Sequence, residues 1–435
     1  MNERSAAAGD GAMAAAWCAH RDGRLGEAEA QYRLILARRE DAAAMHFLGA
    51  LLHQQGDHDA GLKLLWRSLE LAPQRADWHN DLGNVLAAAG RDGDAVGAFM
   101  RALELEPNDA VVWNNLGAVL RNGGHVVEAV QAFQNAVALE PAFADALHNL
   151  GDVLVQLGRI EEAARSHCAA YVLRPGADKP RQMLGIAYYT LGRIAEAAQV
   201  YRLWLHEEPH NPVARHLLAA CTGEDVPDRA SDAYVESQFD GSAATFDRKL
   251  VDALSYRIPA LAGQVLKDLA VPARSRAVLD AGCGTGLCGP HLAPYARHLV
   301  GVDLSGKSLA VATRKSVYDQ LVKAELTEFL SCRTQRFDLI VSADTLIYFG
   351  RLDRLFAAVA GALTDAGIFV ASTEEAAPSP AGYTLNPSGR YGHSREYLTA
   401  SLRAAGFEIR AIDPVDVRIE LGVPVKGLLF VAARR

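Results

Sequence analysis

Two carboxylates and three glycines form the densest group of chemically capable residues in the chain. They lie in and just after VLDAGCGTGLCG, residues 278–289. Asp280 precedes Gly282, Gly284 and Gly286, and Asp303 follows Gly286 by 17 residues. Such glycines let the backbone come close to a ligand, and N–H groups where a loop opens a helix favour a polar or anionic group. A carboxylate placed like Asp303 can accept two hydrogen bonds from a ribose diol. The last six residues, GTGLCG, also satisfy G-x-G-x-x-G, the dinucleotide fingerprint. Asp280 argues against that reading, because it would repel a pyrophosphate and suits a cationic amino-acid end. About 135 residues remain after Asp303, thin for a second mononucleotide half plus a substrate domain.

A second group lies nearer the end. His393 is a general-base candidate in a Gly/Pro-rich stretch, flanked by Arg390 and Tyr391. Arg390 could pair with a carboxylate or phosphate. Asp344, Tyr348 and Glu374 are further site candidates. Cys283, Cys288 and His291 are set aside as a metal site, since a structural site usually wants four ligands.

The elements that must position these residues follow from the apolar pattern. Strands are expected at 277–280, 299–304, 337–343 and 368–373, and helices at 286–295, 308–317, 352–363 and 394–405, the last with Ser394 as N-cap. The final stretch reads as two strands around a Gly-x-Pro turn at 422–424. This predicts an open, mainly parallel sheet closed by an antiparallel edge hairpin.

The first half is periodic instead. Leu-Gly pairs at 48, 82, 116, 150 and 184, and prolines at 73, 107, 141, 175 and 209, all step by 34. Gly61, Ala95, Ala129, Ala163 and Ala197 form a row of small residues. Four residues later stand Leu65, Phe99, Phe133 and Tyr201, with His167 breaking the row. A glycine permits close helix approach, the bulky residue fills the space between neighbouring hairpins, and proline ends the second helix. One such hairpin cannot bury its apolar face alone, but a stack can. His46, Asn80, Asn114, His148 and Gln182 form a polar column three residues before each repeat glycine, with Asn115 and Asn149 beside it. Such a column could hydrogen-bond an extended peptide. The polar junction 221–232 reads as a linker.

The 34-residue unit resembles the tetratricopeptide repeat, over roughly residues 9–219: five repeats and a degenerate first one at 12–41. VLDAGCGTG followed by GVDLS, with FDLIVSADTLIYF downstream, resembles the class I S-adenosylmethionine-dependent methyltransferases, over roughly 234–435. Two further segments, YVESQFDGSAATFDRKLVDALSYRIP and YTLNPSGRYGHSREYLTASLRAAGF, look like predicted methyltransferases fused to tetratricopeptide repeats. That group usually has a tyrosine where this chain has Ser242.

The expected architecture is multidomain α plus α/β: a tetratricopeptide-repeat solenoid at 1–220, the linker, and a Rossmann-like class I methyltransferase domain at 233–435 with an antiparallel C-terminal edge strand. The resemblance implies S-adenosylmethionine as cofactor. Asp280, Gly282, Cys283, Gly284, Thr285 and Gly286 would hold its methionine end, Asp303 its ribose, and Leu304, Glu325 and Leu326 its adenine. Ser342, Ala343 and Asp344 would face the methyl group, and Phe239 and Phe246 would close as a lid. Catalytic candidates are His393 and Asp344. Substrate candidates are Tyr348, Glu374, Arg390 and Tyr391, with Asn80, Asn114, Asn115 and Asn149 in the repeats. N-P-P-Y, typical of methyltransferases acting on adenine or glutamine amides, is missing at 342–345, and the adjacent Glu374 and Glu375 cannot both grip a guanidinium.

The formal net charge of −8 argues against wrapping nucleic acid, and no run of 18 apolar residues predicts a membrane span. Scattered cysteines without C-x-x-C, and no unbroken apolar N-terminal stretch, read as a cytoplasmic protein. The expected function is methyl transfer to an O or N nucleophile, with the repeats recruiting a peptide or protein. The alternatives are a small-metabolite methyltransferase whose repeats serve assembly, a homo-oligomer included, and a non-catalytic cofactor-binding adaptor.

Overall fold

The computed structural model describes residues 11–174, 176, 179–240, 247 and 254–435; Ser242 and Phe246 lie outside the described residues. The chain divides into two compact units, 1–175 and 176–435, each taken here by itself.

The first unit is a run of antiparallel helical hairpins: Gly11–Arg21 with Leu25–Arg38, Ala42–Gln54 with His58–Leu71, Ala76–Ala88 with Asp92–Leu105, Ala110–Asn122 with Val126–Leu139, and Ala144–Gln156 with Ile160–Leu173. A Cβ on Gly83 would come within 2.6 Å of the Phe99 ring, one on Gly117 within 2.7 Å of Phe133, and one on Gly151 within 2.6 Å of His167. The bulky row therefore packs over the glycine of its own hairpin, rather than only between neighbours as expected. Phe99 and Phe133 are fully buried there.

A second glycine row closes each turn. Gly56, Gly90 and Gly124 have φ of +95°, +72° and +80°. At each, the glycine N–H donates to the carbonyl three residues back and the next N–H to the carbonyl five residues back: Gly124 N to Arg121 O at 3.1 Å and His125 N to Leu120 O at 2.8 Å. This is the Schellman arrangement, which needs a left-handed residue.

The second unit begins with one more hairpin, Arg181–Thr190 and Ile194–Glu207, followed by Pro212–Thr222 and Asp232–Asp240. The unit carrying the sheet thus starts upstream of the expected linker. The segment expected as linker is pinned: Ala230 N donates to Tyr348 O at 2.8 Å, and Gly350 N and Arg351 N donate to Asp228 O at 2.8 and 2.9 Å.

The sheet strands are β1 Arg276–Ala281, β2 Ala296–Asp303, β3 Gln320–Lys323, β4 Phe337–Ser342, β5 Leu363–Glu375, β6 Tyr383–Leu385, β7 Tyr391–His393, β8 Phe407–Glu420 and β9 Val423–Arg434. The order β3-β2-β1-β4-β5 is parallel throughout. β9 joins β5 antiparallel and β8 joins β9, the expected edge hairpin. Its two-residue turn is Leu421-Gly422, with φ of +51° and +82°, so the turn falls before the proline and not at 422–424. The expected helix at 286–295 shortens to Gly289–Leu292, with Pro290 in its first turn and Pro294 just after it. Sheet order reverses at β1, so a crevice opens beyond the carboxyl ends of β1 and β4.

The two glycine rows should respond differently to alanine. Gly124→Ala adds a Cβ to open space and costs only left-handed strain, about 1 kcal/mol. Gly117→Ala drives a Cβ into Phe133 and should cost more, about 1–3 kcal/mol. Chemical denaturation of both variants checks the order; equal losses would contradict the packing assigned to Phe133.

Candidate functional site

A cavity of about 250 Å³ occupies that crevice. Its floor is the β1 loop (Asp280, Gly282 to Thr285), with Asp303 and Leu304 after β2, Glu325 and Leu326 after β3, and Asp344 and Thr345 after β4. Phe239, Tyr256, Tyr348, Arg390, Arg418 and Glu420 form the opposite side.

Glycines give the loop its left-handed backbone. Gly282, Gly284 and Gly286 have φ of +79°, +53° and +84°. A Cβ on Gly282 would strike Thr345 Oγ1 at 2.1 Å, so the β1 and β4 loops interlock there. A Cβ on Gly284 would meet no protein atom within 4 Å, so at this cavity-lining position the missing side chain leaves room for a ligand. Gly286 does not line the cavity; it backs onto Tyr318.

Asp280 is 1% exposed and accepts from Tyr318 Oη at 2.6 Å. Burial raises its pKa to about 7; Tyr318 works against that rise and Asp303 adds to it. Asp303 accepts from Gly284 N at 2.9 Å and Ser305 N at 2.8 Å. Burial moves its pKa up as well, against these backbone donors. Two carboxylates thus face one cavity with backbone dipoles and a phenol as partners. Thr285 Oγ1 donates to Asp247, which also pairs with Lys315 at 2.7 Å. Burial and Asp280 keep the Cys283 and Cys288 thiols well above their ordinary range, so both are neutral groups of the wall.

The Arg390, Arg418 and Glu420 part of the cavity lining belongs to an ion network. Arg418, 2% exposed, donates to Asp344 at 3.0 and 3.2 Å and also to Glu374 and Glu420. Arg390 donates to Glu420 at 2.5 Å and lies 2.9 Å from Glu374. Burial opposes the Arg418 charge, and Asp344, Glu374 and Glu420 outweigh it. Asp344 has φ of +55° and its N–H donates to Ser372 Oγ at 2.9 Å, which fixes an uncommon backbone conformation at the cavity. Phe239 meets Tyr348 edge to face at 5.8 Å.

Several expectations need correction. His393 is fully buried in β7, with Nδ1 within 2.6 Å of Thr373 Oγ1 and Nε2 within 3.1 Å of Gly350 O. Burial lowers its pKa to about 4, and it does not line the cavity, so it is a strand-fixing residue rather than a general base. Tyr391 is buried, donating to Pro227 O at 2.7 Å. Glu374 stands behind the cavity wall, and Arg390 is already paired, so neither offers a free charge to a substrate. Ser342 ties β4 to β1 through Ala281 O at 3.0 Å and lies outside the cavity lining. Glu325 lines the cavity, but its carboxylate caps Leu326–Ser331, accepting from Glu328 N at 2.8 Å and Thr327 Oγ1 at 3.1 Å.

In the first unit, Asn115 Nδ2 donates to Asn80 Oδ1 and Asn149 Nδ2 to Asn114 Oδ1, both at 3.0 Å. The ladder therefore fastens adjacent repeats as well as presenting polar groups. Arg418, Glu420, Tyr256 and Tyr318 had gone unread. Arg418 and its partner Asp344 stand 74 residues apart, and nothing local in VRIEL marks an inward arginine.

A methyltransferase-domain family model matches residues 279–371, and two tetratricopeptide-repeat models match 40–108 and 114–180. A probable S-adenosylmethionine-dependent methyltransferase of Saccharomyces cerevisiae is 28% identical over 132 residues, 28% of this chain and 44% of the relative. An 18S rRNA (guanine-N(7))-methyltransferase of Arabidopsis thaliana is 30% identical over 96 residues, 22% of this chain and 33% of the relative. The chain thus spans less than half the length of either. Among solved structures, MamA is 20% identical with a TM-score of 0.35, covering 38% of this chain and 95% of its own. An S-adenosylmethionine-dependent methyltransferase from Mesorhizobium loti is 26% identical with a TM-score of 0.32, covering 39% and 96%. No described helix is long and apolar enough to cross a membrane. By the family-model matches and the curated relatives, the chain is a tetratricopeptide-repeat region followed by a methyltransferase domain, similar to methyltransferases of the S-adenosylmethionine-dependent kind.

Proposed function

We propose that this chain methylates an O or N nucleophile, and that its repeats recruit the peptide or protein that carries it. The observation behind the reading is the cavity itself, where Asp280, the open space over Gly284 and Asp303 lie along one wall. S-adenosylmethionine supplies, when bound, a methyl group already activated on a sulfonium. Asp280 and the loop bind the cationic methionine end, Asp303 accepts from the ribose hydroxyls, and Leu304 and Leu326 give the adenine an apolar wall. Phe239, Tyr256 and Tyr348 exclude water from the transfer path. Asp344, aimed by Arg418, orients the acceptor as a hydrogen-bond acceptor. Three carboxylates against two guanidiniums at that end favour a neutral or cationic acceptor over an anionic one.

The repeat hairpin of the second unit packs against residues of the cavity wall. Tyr188 and Tyr189 of its repeat hairpin join the same apolar cluster as Phe239, Leu304 and Tyr348. His216 Nε2 lies 2.9 Å from Gly389 O and stacks on Tyr234 at 3.9 Å. A chain of residues 176–435 should therefore keep cofactor affinity, whereas one of 222–435 should lose it, through loss of that wall; equal affinity in fluorescence titration would contradict this role for the hairpin.

Transfer of label from isotopic S-adenosylmethionine into a cell extract, separated by size, tests the function. We expect label in macromolecules, abolished by Asp303→Ala. Label only in small molecules would replace the recruitment reading with the metabolite one, and no label above the variant would leave the adaptor reading.

Asp280 adds a pH signature. Its carboxyl is protonated below about pH 7 in the free protein, and a cationic ligand favours the carboxylate. Cofactor affinity should therefore rise with pH, about fivefold to tenfold from about pH 6 to about pH 7.5. Asp280→Asn should bind weakly and flatten the profile. A flat wild-type profile would contradict an Asp280 contact.

A further inference from the structure

In the hairpin Ala144–Gln156 and Ile160–Leu173, three metal-ligating side chains converge. His148 and Asp152 are one helical turn apart on the first helix, and His167 reaches them from the second. Asp152 Oδ2 is 3.8 Å from His148 Nε2, and Asp152 Oδ1 is 3.6 Å from His167 Nε2. One ligand atom from each residue lies within 4.8 Å of the others. The imidazoles meet edge to face at 5.2 Å. Side-chain exposures of 44%, 41% and 34% leave the cluster open to an entering ion.

We propose that this cluster is a binding site for a divalent transition-metal ion such as zinc, with His148, Asp152 and His167 as ligands. Bonds of 2.0–2.2 Å in a tetrahedron set ligand atoms about 3.3 Å apart, so side-chain movements of up to about 1.5 Å from separations within 4.8 Å complete the site. Two imidazoles and a carboxylate select zinc, nickel or copper over magnesium, which prefers oxygen ligands. Three protein ligands leave a fourth position for water or for a donor group on a bound partner.

The repeat register sets this hairpin apart. At the same three positions the other repeats carry His46, Ala50 and Leu65; Asn80, Asn84 and Phe99; Asn114, Ala118 and Phe133; and Gln182, Ile186 and Tyr201. Only this repeat places ligands at all three. His167 also takes the place of the hairpin's bulky apolar residue, packing over Gly151 where Phe133 packs over Gly117. The substitution gives up apolar burial and sets a nitrogen ligand at a rigid helix contact. Arg121 is an opposing charge near by, 3.6 Å from Asp152 Oδ2 and 3.3 Å from Asn149 Oδ1. An ion would displace it from Asp152 and leave its hydrogen bond to the asparagine ladder.

Titration of the full chain with zinc chloride, by calorimetry and by thermal unfolding, tests the site. His148→Gln removes one ligand, and His167→Phe removes another while restoring the residue type of Phe99 and Phe133, so the hairpin stays folded. We expect wild type to bind zinc and unfold at a higher temperature with it. Each histidine variant should lose affinity about tenfold or more, with unchanged helicity. His167→Phe should be at least as stable as wild type without metal and gain nothing from zinc. Arg121→Gln should bind more tightly, and magnesium should shift no midpoint. Failure of wild type to bind zinc overturns the proposal. So does unchanged affinity in either histidine variant, which would assign the zinc to groups elsewhere such as the exposed thiol of Cys332.

Discussion

A buried carboxylate, Asp280, and a half-buried one, Asp303, at adjacent strand tips are the pair around which the methyltransferase domain is arranged. Burial raises the cost of ionising both; Asp303 adds to it for Asp280, and Asp240 adds to it for Asp303. Such a pair persists in a fold only with partners that fix it or a ligand that neutralises it. The fold supplies modest partners: the Tyr318 phenol, and the N–H groups of Gly284 and Ser305. These donors are available because glycine conformations turn the β1 loop back across the end of β2. The same glycines that admit a ligand therefore also hold the carboxylates that would bind it.

The opposite side of the cavity follows the other strategy. There the charges are paired within the protein, and Arg418 alone engages Asp344, Glu374 and Glu420. The edge hairpin β8–β9 is what brings Arg418 to Asp344, so an element at the border of the sheet positions a group at its centre. One side thus carries two carboxylates held by hydrogen bonds, with no cationic side chain hydrogen-bonded to either among the described residues. The other is a polar frame whose charges are paired within the protein.

Legibility in the sequence followed the range of the interaction. The 34-residue period and the parallel strands were legible because each arises from spacing within a few turns or a few residues. The sheet class and the edge hairpin were borne out on that basis. The glycines at 56, 90, 124, 158 and 192 were equally periodic, and their turns could have been read from the same spacing. His393 was misread because GRYGH has the composition of a loop, yet three-residue β7 pairs with β5 and buries it. Arg418 was invisible because its partners lie far away in sequence. Glu325, read as a ligand contact, lines the cavity and also caps the next helix, a short-range role that its position encodes. The bounds of the repeat region were the least legible, because the last hairpin keeps the repeat period while packing its apolar face with the sheet domain.

The central claim is that the glycine loop and the two aspartates select a sulfonium nucleoside over a dinucleotide. A side-by-side calorimetric titration of the full chain with S-adenosylmethionine and with NAD tests it most directly. The account predicts one S-adenosylmethionine site per chain and no measurable heat with NAD. Binding of NAD at equal or higher affinity would contradict it, since Asp280 would then be facing a pyrophosphate.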